Sequence, residues 1–262
     1  MSLAEDIKRV AAARDALELT GVPEGFDALV MADLARTRGG LNVFVARDGS
    51  RAGAFEAAMA FFAPEMAILR LPSWDCLPYD RIGPSASVSA ERMSTLTRLA
   101  RGDFGKKPVL LITQAPSLLQ RLPPKAAVLA AGYSAQVGND VDMSVLERYF
   151  AINGYHKAST VSERGEFAIR GGVIDVFPPG ADEPVRLDLF GDTLETIRAF
   201  DRETQRSTRQ LKSVDLLPVS EALLDTDAVS RFRKGYVAAF GAPGDDPLYA
   251  AVSEGQIGRA HV

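Results

Sequence analysis

A disulfide framework is closed to this chain, because its 262 residues hold one cysteine, Cys76. A lone thiol suits a reducing compartment. Histidine is nearly as scarce: His156 and His261 are the only two, far apart in sequence, and neither pairs recognisably with Cys76. That leaves no metal-ligand spacing and no cysteine–histidine nucleophile. No G-x-S-x-G elbow and no G-x-G-x-x-G fingerprint occurs, which removes the usual signatures of a serine hydrolase and a dinucleotide fold. No apolar run approaches the roughly 20 residues that span a bilayer. The opening MSLAEDIKRV lacks the apolar stretch of a signal peptide and reads as a helix, with Ser2 and Glu5 spaced as a capping box. The formal charge is −4, so no dedicated nucleic-acid surface is expected. These absences predict a soluble cytoplasmic protein without metal, cofactor or membrane contact.

What remains is ordinary globular material, 47% apolar and 24% charged, long enough for two domains. From residue 17 to 122 strand-like and helix-like segments alternate. Leu17–Thr20 is a short strand candidate, followed by a helix near Phe26–Arg38. Strand Leu41–Ala46, helix Arg51–Phe62 and strand Met66–Leu71 come next, then helix Ser89–Arg101 and strand Val109–Thr113. Apolar strands alternating with helices predict an open parallel sheet of about four strands, the α/β class. Pro123-Pro124 then marks a change. Alternating segments bounded by Gly, Pro and Asp run from Ala126 to Pro218, with a helix around Met143–Asn153, and predict an α+β domain on an antiparallel sheet. Helices return from Val219: Val229, Phe232, Tyr236 and Phe240 share a helical face, and Asp246-Pro247 reads as an N-cap with proline at the first helical position. The expected domains are 1–121, 122–218, and a truncated helical region 219–255. The tail 256–262, QIGRAHV, has no periodicity and matches a translation of the opening bases of a common sequencing adapter. It is expected to be non-native, with the natural chain running on past Gly255.

The segment Gly21-Val-Pro-Glu-Gly25-Phe26-Asp27 lies where a nucleotide fold keeps its phosphate loop. A working loop needs G-x-x-x-x-G-K-[ST], whose lysine offsets phosphate charge and whose hydroxyl holds magnesium. Here the spacing is one residue short, Phe26 stands where the lysine belongs, and Asp27 would repel phosphate. A degenerate phosphate loop and a plain glycine turn both fit. The only Asp-Glu pair, Asp182-Glu183, sits in a proline-rich turn rather than after a buried strand, so no magnesium-holding partner is apparent. The loop Leu71–Asp80 carries the single tryptophan between Pro72 and Pro78. Packing against its own domain is the favoured reading, with a ligand loop at a strand's carboxyl end as the alternative.

Glu166–Asp201 is the most informative stretch. Successive strand residues face opposite sides, so Val185, Leu187 and Leu189 point to a core while Arg186, Asp188 and Phe190 share the other face. Gly191-Asp192 fits a two-residue hairpin turn with glycine first. An aromatic beside an arginine on an outer face is the pairing that anchors protein contacts; a stray exposed Phe is the plain alternative.

Long collinear motifs now resemble a known family. LPSWDCLPYDRIGPS, SAERMSTLTRLARG, VLLITQAPSLLQRLP and above all GEFAIRGGVIDVFPPG…PVRLDLFGDTLETIRAFDRETQRS look like the N-terminal module of the bacterial transcription-repair coupling factor, itself similar to the helicase-like UvrB. UvrB keeps an intact phosphate loop and inserts an aromatic hairpin after the segment matching Leu77–Asp80. This chain has Phe26 and Asp27 in the loop and runs directly through Arg81–Ser85 into a helix. The resemblance therefore implies a degenerate phosphate-loop domain without catalysis, joined to a UvrA-interaction domain. It implies recruitment of UvrA to RNA polymerase stalled at a lesion, with polymerase and DNA engaged by an ATP-driven motor further along the family's chain. In the family the UvrA surface can also be covered by the C-terminal domain. The matching contact residues are Arg170, Arg186 and Phe190. The competing expectations are a UvrB-like subunit with ATPase or lesion-binding activity, and a small-molecule binder near Pro72–Ser85.

Overall fold

The computed structural model describes residues 3–77, 83–102 and 104–255. Ser2 of the expected capping box, the segment 78–82 and the tail 256–262 lie outside them. In chain order the elements are α1 (Leu3–Ala12), α2 (Phe26–Arg38), β1 (Leu41–Ala46), α3 (Gly49–Phe62), β2 (Ala67–Leu71), α4 (Ala86–Arg101), β3 (Val109–Gln114) and α5 (Ala115–Leu119). They continue with α6 (Lys125–Ala130), β4 (Tyr133–Gln136), α7 (Met143–Ile152), β5 (His156–Lys157), β6 (Glu166–Arg170), β7 (Val173–Val176), β8 (Val185–Phe190) and β9 (Thr193–Phe200). The last are β10 (Ser207–Leu211), β11 (Ser213–Leu216), α8 (Thr226–Phe240) and α9 (Pro247–Ser253). Internal contacts divide the chain into two units, 1–73 with 102–121 and 74–101 with 122–262.

The first unit is α/β. Its strands are parallel in the order β1-β3-β2, with Leu41 and Ala67 both opposite Val109. β3 is central and nearly all apolar, VLLIT, as a strand flanked on both edges must be. Ala28, Ala32 and Ala35 of α2 are fully buried against Phe55, Met59, Leu110 and Ile112, because small residues let the helix lie close to its neighbours. Asp48 starts α3 by accepting the Arg51 backbone N–H at 2.8 Å. The expected fourth strand, Leu17–Thr20, does not form: the described sheet has three strands. Leu17 and Leu19 are each 51% exposed. Four residues with no neighbouring ladder have nothing to satisfy their backbone groups, so local apolar character cannot hold them extended.

The second unit is α+β. Its main sheet runs β10-β9-β8-β7-β6-β5, antiparallel except for the short β5–β6 pair. A second ribbon pairs β4 with β11. Phe167, Ile174, Val176, Val185, Leu187, Leu194 and Ile197 supply one sheet face to a core that takes Leu146 and Phe150 from α7, with Phe150 stacked on Phe167 at 4.4 Å. Asp142 caps α7 through the Ser144 and Val145 N–H groups. Tyr149 and Tyr155 donate their hydroxyls to the Leu216 and Leu217 carbonyls, and burial pushes both phenols up.

Helix α4 lies within the first α/β stretch by sequence order, yet it packs with the second unit. Ala90 joins that unit's core, and Arg92, fully buried, gives its Nε to Glu221 at 2.5 Å. Trp74 donates to the same carboxylate at 3.0 Å. Trp74 is thus anchored in the second unit, not on the 1–121 domain against which its loop was expected to pack. No helix among the described residues is long and apolar enough to cross a membrane.

Candidate functional site

Register decides which side chains share the open face of the main sheet. Ala168 lies opposite Asp175, Asp175 opposite Arg186, and Arg186 opposite Arg198. Paired residues point the same way, so these four, with Arg170, Asp188, Phe190 and Thr196 at two-residue steps, occupy the face turned from the main core. At one end of it Ala168, Phe177 and Phe200 make a small apolar cluster with Val161. At the other end Phe190 closes β8 beside the turn at Gly191-Asp192. Gly191 there has φ 61°, a left-handed conformation that glycine adopts without penalty. Phe190 is 77% exposed.

Between the two ends runs a charge ladder. Arg186 donates from Nε to Asp175 Oδ1 at 2.6 Å and from Nη2 to Oδ2 at 2.9 Å. Its guanidinium also lies 5.0 Å from the Phe200 ring centroid. Arg170 reaches the same carboxylate, Nη1 to Oδ2 at 3.4 Å, and donates from Nη2 to the Ser159 carbonyl. Asp175 is 2% exposed, against 22% for the Arg186 side chain and 53% for Arg170. Two like charges directly across a ladder repel, and Arg186 and Arg198 stand so. Each has its own carboxylate: Arg198 pairs with Asp188 at 2.7 Å, which also accepts from Thr196 Oγ1 at 2.7 Å. Hydrogen bonding to Asp175, then its charge, pushes Arg186 above the ordinary arginine value despite opposing desolvation. The face therefore carries fixed guanidinium groups with an exposed aromatic at its end, an arrangement suited to carboxylates and apolar surface on a partner.

Arg170 and Arg186 are brought together, while Phe190 stands apart at the strand end. Sequence reading missed Asp175, the group that joins them. Its signal was present: a lone carboxylate inside the apolar run Val173–Phe177.

The other predicted constellation differs. Gly21 and Gly25 both take positive φ, 70° and 86°, and Gly25 caps α2 without a side-chain bond. Phe26 is 37% exposed. Asp27 accepts the Ala28 N–H at 3.0 Å and pairs with Arg51. A carboxylate of the chain itself thus sits at the helix N-terminus, where a phosphate would have to bind, and no strand among the described residues precedes the loop.

Comparison with known proteins bears on the whole chain. Residues 134–221 match the UvrB interaction domain family, a span that includes the entire charge ladder. The transcription-repair-coupling factor of Myxococcus xanthus is 39% identical over 209 residues, 76% of this chain and 17% of the relative. The chain is a homologue of the transcription-repair-coupling factors. That of Escherichia coli is 30% identical over 241 residues, 92% of this chain and 20% of the relative. A Staphylococcus aureus factor is 30% identical over 190 residues, 72% of this chain and 16% of its own length. The chain thus spans about a fifth or less of the length of these coupling factors.

Proposed function

We propose that this chain is a non-catalytic recruitment module that binds UvrA through Arg170, Arg186 and Phe190, within a longer coupling factor whose other parts engage RNA polymerase and DNA. The observation that carries this reading is the open sheet face inside the UvrB interaction domain: fixed arginines leading to a phenylalanine 77% exposed. Folding alone gives no reason to leave a large aromatic there, whereas arginine and aromatic anchors dominate protein interfaces. The pairing of Asp27 with Arg51 at the start of α2 supports a reading without nucleotide chemistry, since it neutralises that cation with a carboxylate of the loop itself. In this proposal the first unit retains a degenerate phosphate-loop fold, and an intramolecular C-terminal domain of the longer protein competes for the same face.

The test is titration of purified UvrA into the chain by calorimetry. Arg186→Glu and Phe190→Ala are each expected to weaken binding by about 2 kcal/mol or more. Unchanged affinity in both variants would remove the surface from the proposal.

A further inference from the structure

Asp175 is a charged group where folding does not require one. Its strand neighbours Ile174 and Val176 fill the main core, and on its own side Ala168, Phe177 and Phe200 already form an apolar cluster. Burying a carboxylate costs several kcal/mol before pairing repays it, and an apolar replacement for a buried ion pair is often neutral or stabilising. Stability by itself therefore gives no account of this residue. Its contacts give another. Asp175 holds one edge of the Arg186 guanidinium while the Phe200 ring lies against it at 5.0 Å, so both edge and plane are set before any partner arrives. A guanidinium has five N–H donors. Asp175 takes two of Arg186's, on Nε and Nη2, and three are left for a ligand. Arginine gives up rotamer freedom when fixed; here that loss belongs to folding rather than to binding. The same carboxylate draws Arg170 to the cluster and offsets one of its two positive charges.

We infer that Asp175 is a positioning residue for Arg186, one of the proposed UvrA-binding residues: the buried carboxylate pre-sets that guanidinium in the binding geometry. This rests on the function proposed above. The opposite role is physically coherent too, with Asp175 as an internal competitor that a partner carboxylate must displace, and it predicts the opposite sign.

The experiment is a double-mutant cycle read by calorimetry with purified UvrA. Asp175→Asn keeps the shape and removes the charge; it is expected to weaken binding about tenfold. In an Arg186→Gln background the same change is expected to shift affinity less than about twofold, because Asp175 acts through that arginine. With Phe190→Ala the losses should multiply, since Phe190 does not touch the cluster. A merely structural role would degrade all three backgrounds alike. Unchanged or tighter binding by Asp175→Asn, or losses that multiply with Arg186→Gln, overturns the inference. If Asp175→Asn does not fold, Phe200→Leu removes the ring against Arg186 and keeps the carboxylate. Its loss of affinity should likewise vanish in the Arg186→Gln background, and persistence there overturns the inference. Wild-type binding weakened by Arg186→Gln but not by Asp175→Asn sinks only this inference. No binding by the wild type takes the proposed function down with it.

Discussion

Arg92 has no solvent of its own, and Glu221 supplies the countercharge, with the Trp74 indole N–H on the same carboxylate. Hydrogen bonds to a charged group are worth about 1.5–3 kcal/mol each, and Glu221 accepts them from both Trp74 and Arg92. Glu221→Gln should therefore lower the free energy of urea unfolding by about 3 kcal/mol, monitored by Trp74 fluorescence. A loss within about 0.5 kcal/mol, the range of an ordinary surface change, would mean the pair is not what seats α4 on its unit. Asp175 and Arg186 obey the same electrostatic logic, but Arg186 is partly open and keeps donors to spare. One pair closes a core; the other leaves a surface able to bind.

Among the elements, the hairpin between β6 and β7 is constrained by backbone rather than by side chains. A Cβ at Gly172 would lie 2.7 Å from the Leu189 carbonyl oxygen, and the Gly172 carbonyl accepts the Leu189 N–H at 2.7 Å. Backbone cannot swing aside as a side chain can. Gly172→Ala is expected to cost about 2 kcal/mol in thermal or urea unfolding, and to disturb β8 where it carries Phe190. Gly53 is the contrasting case, exposed inside α3 with nothing within 4 Å of a Cβ. Gly53→Ala should stabilise by roughly 0.5–1 kcal/mol through helix propensity. If the two substitutions shifted the unfolding midpoint in the same direction, the steric account of the hairpin would fail. Element types were largely legible in sequence: α2 and β1 occupy the expected Phe26–Arg38 and Leu41–Ala46, because periodicity and turn residues are local. Leu17–Thr20 misled for the same reason, since an apolar tetrapeptide resembles a strand until a neighbour is required.

Across the whole molecule, acid should be the weak flank. Asp48, Asp142, Asp201 and Asp246 sit at a helix start or turn, where the Ser144 hydroxyl and then backbone N–H groups at Asp142, and backbone N–H groups first at the other three, hold all four below the usual carboxylate range. A folded-state pKa below the unfolded one contributes stability that is complete above the unfolded value and is lost as pH falls through the folded value. The unfolded value for aspartate is about 3.9. The urea midpoint should be flat from about pH 7 to 5 and should fall below about pH 4. Converting all four to Asn, which caps comparably without titrating in this range, should flatten that fall. An unchanged slope in the quadruple variant would assign the acid sensitivity to other groups.

By itself the sequence determined which side chains could share a face, because alternation along β8 is a property of one strand: Arg186 and Phe190 were placed outside and Leu187 inside before any neighbour was known. It also carried the family resemblance, in collinear motifs that do not depend on packing. Only the tertiary structure decided that one buried carboxylate on β7 would hold arginines from both adjoining strands, and that α4 would seat on the unit it precedes rather than the strands around it. Both depend on register and contact between segments remote in sequence, where Asp175 meets Arg186 across a ladder and Arg92 meets a glutamate 129 residues away. Pairing at that range is settled by which partner satisfies a buried charge, and no local pattern encodes it.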